Sequence, residues 1–304
     1  MNKPLSISGL GVNLVTPFNG SGEVDYPALE RLVRRIRSTR VGFIVVNGSA
    51  SEAAMLSLEE QIRVLDFVSE INDRKKNLIG GIPGMDTRSS VQRISTFARR
   101  DFQAVYCDEP LPIASSPSGY IGHFRSIAQA APLPVIIEHK SGALGRHAAE
   151  ALLTLSREPN IAGVVESTGD VALHGALIRN KPRDFFVLCG RDVMGLPLMA
   201  LGAGGMLSTV ANAFPADCCT MMDYMEFGNF HDARIIHHTL APLLRILETE
   251  GAPTGIKAIL SHFQRMEHLV RLPNTPVSDD MKQALYRALA ELPQSMVEEV
   301  MSPA

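Results

Sequence analysis

The sequence predicts an α/β protein, a (β/α)8 TIM barrel with a C-terminal helical extension. Three observations carry this. Short apolar, β-branched runs alternate with helical patterns through the first two thirds of the chain. No GxGxxG or Walker-type loop argues for an open doubly wound sheet instead. From Pro215 onward the strand signals stop and only helical patterns follow. A chain of 304 residues is long enough for one such barrel with a large buried core. Residues 1–214 are expected to form the barrel core. Residues 215–304 are expected to supply the last barrel helix and an extension packed on the barrel.

Taken in order, strand-like runs lie at Leu10–Val15, Phe43–Val46, Leu78–Ile82, Ala104–Cys107, Val135–Ile137, Ile161–Val165, Phe185–Leu188 and Gly205–Ser208. Buried parallel strands read as continuous apolar runs of this kind. Helical patterns fall between them, for example at Tyr26–Arg37, Leu58–Glu70 and Val91–Arg99. Ser57-Leu-Glu-Glu60 has the form of a capping box that starts the second of these. Pro215–Phe227, His231–Glu248, Gly255–Met266 and Ser278–Glu291 continue the helical pattern. Surplus helices on a barrel often serve assembly, so a homo-oligomer is expected.

A net charge of −3 offers no electrostatic reason to bind nucleic acid or an anionic membrane. The sequence shows neither an apolar run long enough to span a bilayer nor a charged-then-apolar leader, so a cytoplasmic protein is expected. Cys107, Cys189, Cys218 and Cys219 have no metal-ligand or redox spacing and read as packed thiols.

The stretch Ile161-Ala-Gly-Val-Val-Glu-Ser-Thr-Gly-Asp170 is an apolar run that turns polar and opens a helix. Side chains at the end of such a strand, and in the loop after it, are where α/β barrels keep their chemistry. Further stretches to set beside it are Gly11-Val-Asn-Leu-Val-Thr-Pro-Phe18, Gly48-Ser-Ala-Ser-Glu-Ala-Ala-Met-Leu-Ser-Leu-Glu-Glu60, Pro134-Val-Ile-Ile137, Leu196-Pro-Leu-Met-Ala-Leu-Gly-Ala-Gly-Gly205 and Arg271-Leu-Pro273. In this order, and together with Gly163–Asp170, they resemble the dihydrodipicolinate synthase / N-acetylneuraminate lyase family of class I aldolases over essentially the whole chain. The resemblance implies a (β/α)8 barrel with C-terminal helices, usually a tetramer. It implies a carbon–carbon lyase (aldolase) acting on a small 2-oxo acid such as pyruvate through a Schiff base to a strand-six lysine.

The resemblance also marks where this chain departs. The lysine of a motif like GIKEATGD falls on Val165, which can form no Schiff base. The proton-relaying tyrosine of a motif like YNVPGRTG falls on Glu138, and the arginine of that motif on Ala143. The Tyr-Tyr pair after strand four falls on Leu111-Pro112. Of a GTTGE loop that holds the pyruvate carboxylate, Gly48, Ser49 and Glu52 remain, while Ala50 and Ser51 depart.

Replacement chemistry is expected at Glu138 and Lys140, the catalytic candidates. On an extended strand they share a face about 6.6 Å apart, at roughly 3.3 Å per residue. Lys140 reads either as a relocated nucleophile or as an ion pair with Glu138, whose charge would raise rather than lower the amine's pKa. Gly48, Ser49 and Ala50 are the expected carboxylate loop; Arg146 and Ser208 are further substrate-binding candidates. Arg191-Asp192 also falls at that rim, and helix-start salt bridges are the plainer reading of both arginines. Asp108, Glu109, Glu138, His139 and Glu166 could gather a divalent cation, but no spacing is diagnostic and strand parity sends Glu138 and His139 to opposite faces. No metal or other cofactor is expected. The expected partners are a small 2-oxo acid or related carboxylate and further copies of the chain, as a tetramer or dimer. A non-catalytic, carboxylate-binding barrel or pseudoenzyme subunit is the competing reading.

Overall fold

The computed structural model describes residues 7–97, 100–110 and 116–301. Eight parallel strands close into a barrel in chain order. They are β1 (Gly9–Asn13), β2 (Phe43–Val46), β3 (Asn77–Ile82), β4 (Ala104–Cys107), β5 (Val135–His139), β6 (Ile161–Glu166), β7 (Phe186–Cys189) and β8 (Gly205–Ser208). Between them run α1 (Tyr26–Arg37), α2 (Leu58–Asn72), α3 (Thr87–Ile94), α4 (Pro117–Ala130), α5 (Ala148–Leu155), α6 (Val171–Asn180) and α7 (Gly195–Ala200). After β8 come α8 (Pro215–Glu226), α9 (Phe230–Glu250), α10 (Ala252–His262), α11 (Asp279–Ala290) and α12 (Gln294–Met301). The sheet closes where β1 pairs with β8, Val12 against Ser208.

Alternation along each strand divides the core into two layers. Phe43, Val45, Ile79, Tyr106, Ile136, Val165, Phe186, Leu188 and Leu207 fill the barrel interior. Their neighbours, such as Ile44, Val105, Ile137, Val164 and Val187, pack outward against the helices. Large residues interdigitate with missing side chains: a Cβ at Gly163 would sit 2.2 Å from the Phe186 ring. Helix α1 shows the outer packing, burying Leu29, Leu32, Val33 and Ile36 at spacings of three and four. The capping box forms as expected, with the Glu60 amide donating to Ser57 Oγ at 3.1 Å and the Ser57 amide to Glu60 Oε2 at 2.8 Å.

Several boundaries differ from the sequence expectation. The helix expected at Val91–Arg99 begins at Thr87, because Asp86 caps it by accepting the Ser89 amide at 3.0 Å. It tightens into a 3-10 turn at Ser95–Phe97, and Ala98 and Arg99 lie outside the described residues. Strand β5 runs two residues past Ile137, pairing Glu138 with Val165 and His139 with Glu166. That extension sets the direction of both polar side chains. Helix α12 was not expected; only Met296 and Val300 bury, too short an apolar pattern to read. Among the described residues no helix is long and apolar enough to cross a membrane.

Candidate active site

The site lies at the C-terminal mouth of the barrel, where β5 carries Glu138 inward. The Glu138 carboxyl is buried, and its Oε1 accepts from Ser49 Oγ at 3.1 Å and Ser167 Oγ at 3.4 Å. Its Oε2 has no hydrogen-bond partner among the described residues. Burial, with the Asp108 charge second, lifts its pKa from the ordinary 4.5 to about 8. Lys140, just past the strand, donates to Asp108 Oδ2 at 2.6 Å and lies 3.7 Å from Glu138 Oε2. Partial burial pulls the ammonium pKa down, but Glu138 and Asp108 outweigh it and the net shift is upward. Lys140 is thus an ion-paired, protonated ammonium rather than an activated amine.

Ser49 arrives on the turn after β2. Asn47 and Glu52, both at φ 58°, bracket that turn in the left-handed region, each at a cost of about 1–3 kcal/mol. Gly48 has to be glycine: a Cβ there would meet Asn13 Oδ1 at 2.4 Å. Asn13, at the end of β1, then holds the turn from both sides, donating to Ser49 Oγ at 3.0 Å and accepting from the Ala50 amide at 3.3 Å. Tyr106 of β4 brings its phenol to 3.5 Å from Ser49 Oγ, and burial followed by the Glu138 charge raises its pKa well above the usual value. Val165 forms the apolar wall beside Glu138 and is 2% exposed.

The other sequence candidates face elsewhere. His139 points out of the barrel, where its Nδ1 lies 2.6 Å from Glu109 Oε1 and 3.3 Å from the Tyr120 hydroxyl. Glu166 also faces outward, accepting the Thr168 amide at 2.8 Å, with His174 Nδ1 3.8 Å away. The carboxylates and the histidine therefore split between two faces, as parity requires. Among the described residues no group of three or more His, Cys, Asp or Glu is arranged to hold a metal. Ser208 shares the outward face of Met206 and caps the following turn, accepting the Ala211 amide at 3.0 Å. It does not join the mouth cluster. Arg146 is exposed on the turn after β5, bonded to neighbouring His147 at 3.2 Å, and contacts none of the mouth groups among the described residues. Ala143 is exposed on the same loop, and Leu111-Pro112 lies outside the described residues. Burial holds the Cys189 thiol up at about 12 and raises Cys107 further, which keeps both in the packed thiol form.

Beside the mouth, Ser167, Gly190, Arg191, Asp192, Thr209 and Glu248 line a cleft of about 170 Å³. Arg191 pairs with Glu248 of α9 at 2.7 Å, and Asp192 accepts the Thr209 amide at 2.9 Å. Sequence reasoning missed Asn13, Tyr106 and Ser167. Parity with the apolar interior residues marks Tyr106 and Asn13 as inward-facing, so that signal was present; Ser167 lies in a loop and carried none.

Comparison with known proteins agrees with the fold and with the family resemblance. A model of the dihydrodipicolinate synthetase family matches residues 6–292. The chain is 32% identical over 289 residues to the 4-hydroxy-tetrahydrodipicolinate synthase of Azobacteroides pseudotrichonymphae, covering 94% of this chain and 98% of the relative. It is 33% identical over 272 residues to the synthase of the same name from Phocaeicola vulgatus, covering 89% and 92%. Among solved structures, a dihydrodipicolinate synthase of Bacillus anthracis superposes with a TM-score of 0.90 at 26% identity, over 95% of this chain and 100% of that one. The chloride-inhibited dihydrodipicolinate synthase of Acinetobacter baumannii, complexed with pyruvate, gives 0.89 at 28% identity over 94% and 99%. The chain belongs to the dihydrodipicolinate synthetase family.

Proposed function

We propose that the protein is a carbon–carbon lyase for a small 2-oxo acid such as pyruvate, working without a Schiff base and with Glu138 as its proton-transfer group. The observation that carries the reading is the buried Glu138 carboxyl, with one oxygen held by Ser49 and Ser167 and the other, 3.7 Å from the Lys140 ammonium, accepting no hydrogen bond among the described residues. The relatives named as synthases, one solved with pyruvate, support the substrate class. The position where the family resemblance would place an amine is Val165, and Lys140 donates to Asp108.

In this reading the substrate carboxylate rests on the Gly48–Ala50 turn. The ionised form of Glu138 removes a C3 proton, and the electron pair moves onto the C2 oxygen, where the Lys140 ammonium offsets the charge. Attack of the enolate on an aldehyde forms the new carbon–carbon bond, and the proton held by Glu138 passes to the resulting alkoxide. Cleavage is the reverse. A homo-oligomer, as the family resemblance implies, is part of the proposal.

The test is deuterium exchange at C3 of pyruvate, followed by NMR. Exchange is expected to rise with pH and level off above about 8, as Glu138 ionises, and to vanish in E138Q. Borohydride is expected to leave no adduct on any lysine. An adduct on Lys140 would replace this mechanism with a relocated Schiff base. Binding of pyruvate without exchange would favour the non-catalytic reading, to which the aliphatic Val165 wall already lends support.

A further inference from the structure

Glu52 closes the turn that carries Ser49, yet its carboxylate points away from the mouth, and among the described residues every donor it meets comes from α10 or the segment that follows it. Lys257 of α10 reaches Oε1 at 2.5 Å, while the Arg271 amide and Asn274 Nδ2 reach Oε2 at 2.9 and 3.1 Å. Lys257 is fully buried. Its ammonium also donates to the Leu269 carbonyl at 2.9 Å and sits 4.0 Å over the Phe18 ring, so it has no free face for a substrate. The Arg271 side chain extends the clasp beyond the turn, donating to the Met55 carbonyl at 3.1 Å and to Glu60 Oε1 and Oε2 at 2.5 and 2.8 Å.

Glu52 adopts a left-handed conformation at φ 58°, which a non-glycine residue keeps only when its surroundings impose it. Three donors on one buried carboxylate supply that restraint. At the other end of the turn, Asn47 is fixed by donating to the Gln61 carbonyl at 2.9 Å. With both ends fixed, Ser49 Oγ is placed between Asn13, Tyr106 and Glu138.

We infer that Lys257 is a positioning residue: through Glu52, the C-terminal helices set the conformation of the turn that presents Ser49 to substrate. This rests on the Gly48–Ala50 turn being the substrate loop. If it is correct, the helices after the barrel are part of the site's geometry rather than a separate appendage.

The experiment compares wild type, K257M, K257R and the double variant E52Q/K257M by backbone amide exchange over residues 48–53, melting temperature and pyruvate affinity. K257M leaves Glu52 buried without its counter-ion and is expected to lose stability; the double variant removes both charges and is expected to melt near wild type. Exchange at 48–53 is expected to rise about tenfold in K257M and to stay high in the double variant, with pyruvate binding weakened about tenfold in both. K257R is expected to recover part of each. Wild-type protection at 48–53 in a stable double variant would overturn the inference, as would faster exchange spread evenly over the chain. If wild type binds no pyruvate, the substrate reading fails, while the exchange data still decide whether Lys257 positions the turn.

Discussion

At the scale of single residues, the mouth is defined by one aliphatic and one acidic side chain on neighbouring strands. Val165 and Glu138 are register partners, so a lysine at 165 would enter the pocket that Glu138 faces. V165K is expected to form a borohydride-trappable adduct with pyruvate where wild type forms none, at about 1–3 kcal/mol of stability for the bulk it adds to a packed wall. A folded V165K with no adduct would show that pyruvate does not enter this mouth. Glu138 also links stability to pH. Its folded pKa is raised, so the folded state holds the proton more tightly, and this contribution is intact below 4.5 and lost as pH rises through about 8. The melting temperature of wild type is therefore expected to fall relative to E138Q between those two pH values. Parallel pH profiles would contradict the assignment of a buried, protonated carboxyl.

Elements position these residues through two devices, strand parity and capped turns. Parity sends Glu138 into the barrel and His139 to the outer layer, where Glu109 and Tyr120 receive it. Capped turns fix where the polar loops begin: Asp170 starts α6 by accepting the Ala172 amide at 2.8 Å, which ends the Ser167–Gly169 loop cleanly. Within the strands, the Gly163 and Phe186 pair keeps β6 and β7 close below the site. G163A is expected to cost about 1–3 kcal/mol, because the Phe186 ring has no room to withdraw inside a filled barrel. Chemical denaturation of the purified variant checks this, and an unchanged midpoint would mean the interior is looser than its packing implies.

For the whole molecule, the interest lies in what the helices after β8 do. Helix α8 packs on β1 beside the barrel closure, while α10 and the segment after it hold the Ser49 turn from behind, through Lys257, Arg271 and Asn274 on Glu52. Large apolar side chains remain exposed on the outside, including Val171 at the start of α6 and Leu201 at the end of α7. Exposed apolar surface of this kind is a common site of self-association. Sedimentation velocity is expected to show a dimer or tetramer, and V171D/L201D to shift the distribution toward smaller species. A wild-type monomer at micromolar concentration would remove the oligomer from this account.

The alternation of apolar strands and amphipathic helices is local, so the sequence alone determined the barrel, most strand positions and the opposite facing of Glu138 and His139, while the length of β5 decided which of them points inward. The capping box at Ser57 was legible for the same reason, since both of its partners lie within one helical turn. The candidate site was only partly legible. Glu138, Lys140 and Ser49 could be named from strand ends and motif order, but Ser208 turned outward and Arg146 stayed on the surface. Only the closed barrel brings Asn13, Ser49, Tyr106, Glu138 and Ser167 together, since register and closure depend on contacts between distant segments. The proton affinity of Glu138 depends on burial, and the Glu52–Lys257 pair joins residues 205 positions apart. Neither leaves a periodic signal in the chain, because desolvation and long-range ion pairing are properties of the packed volume rather than of any short stretch of sequence.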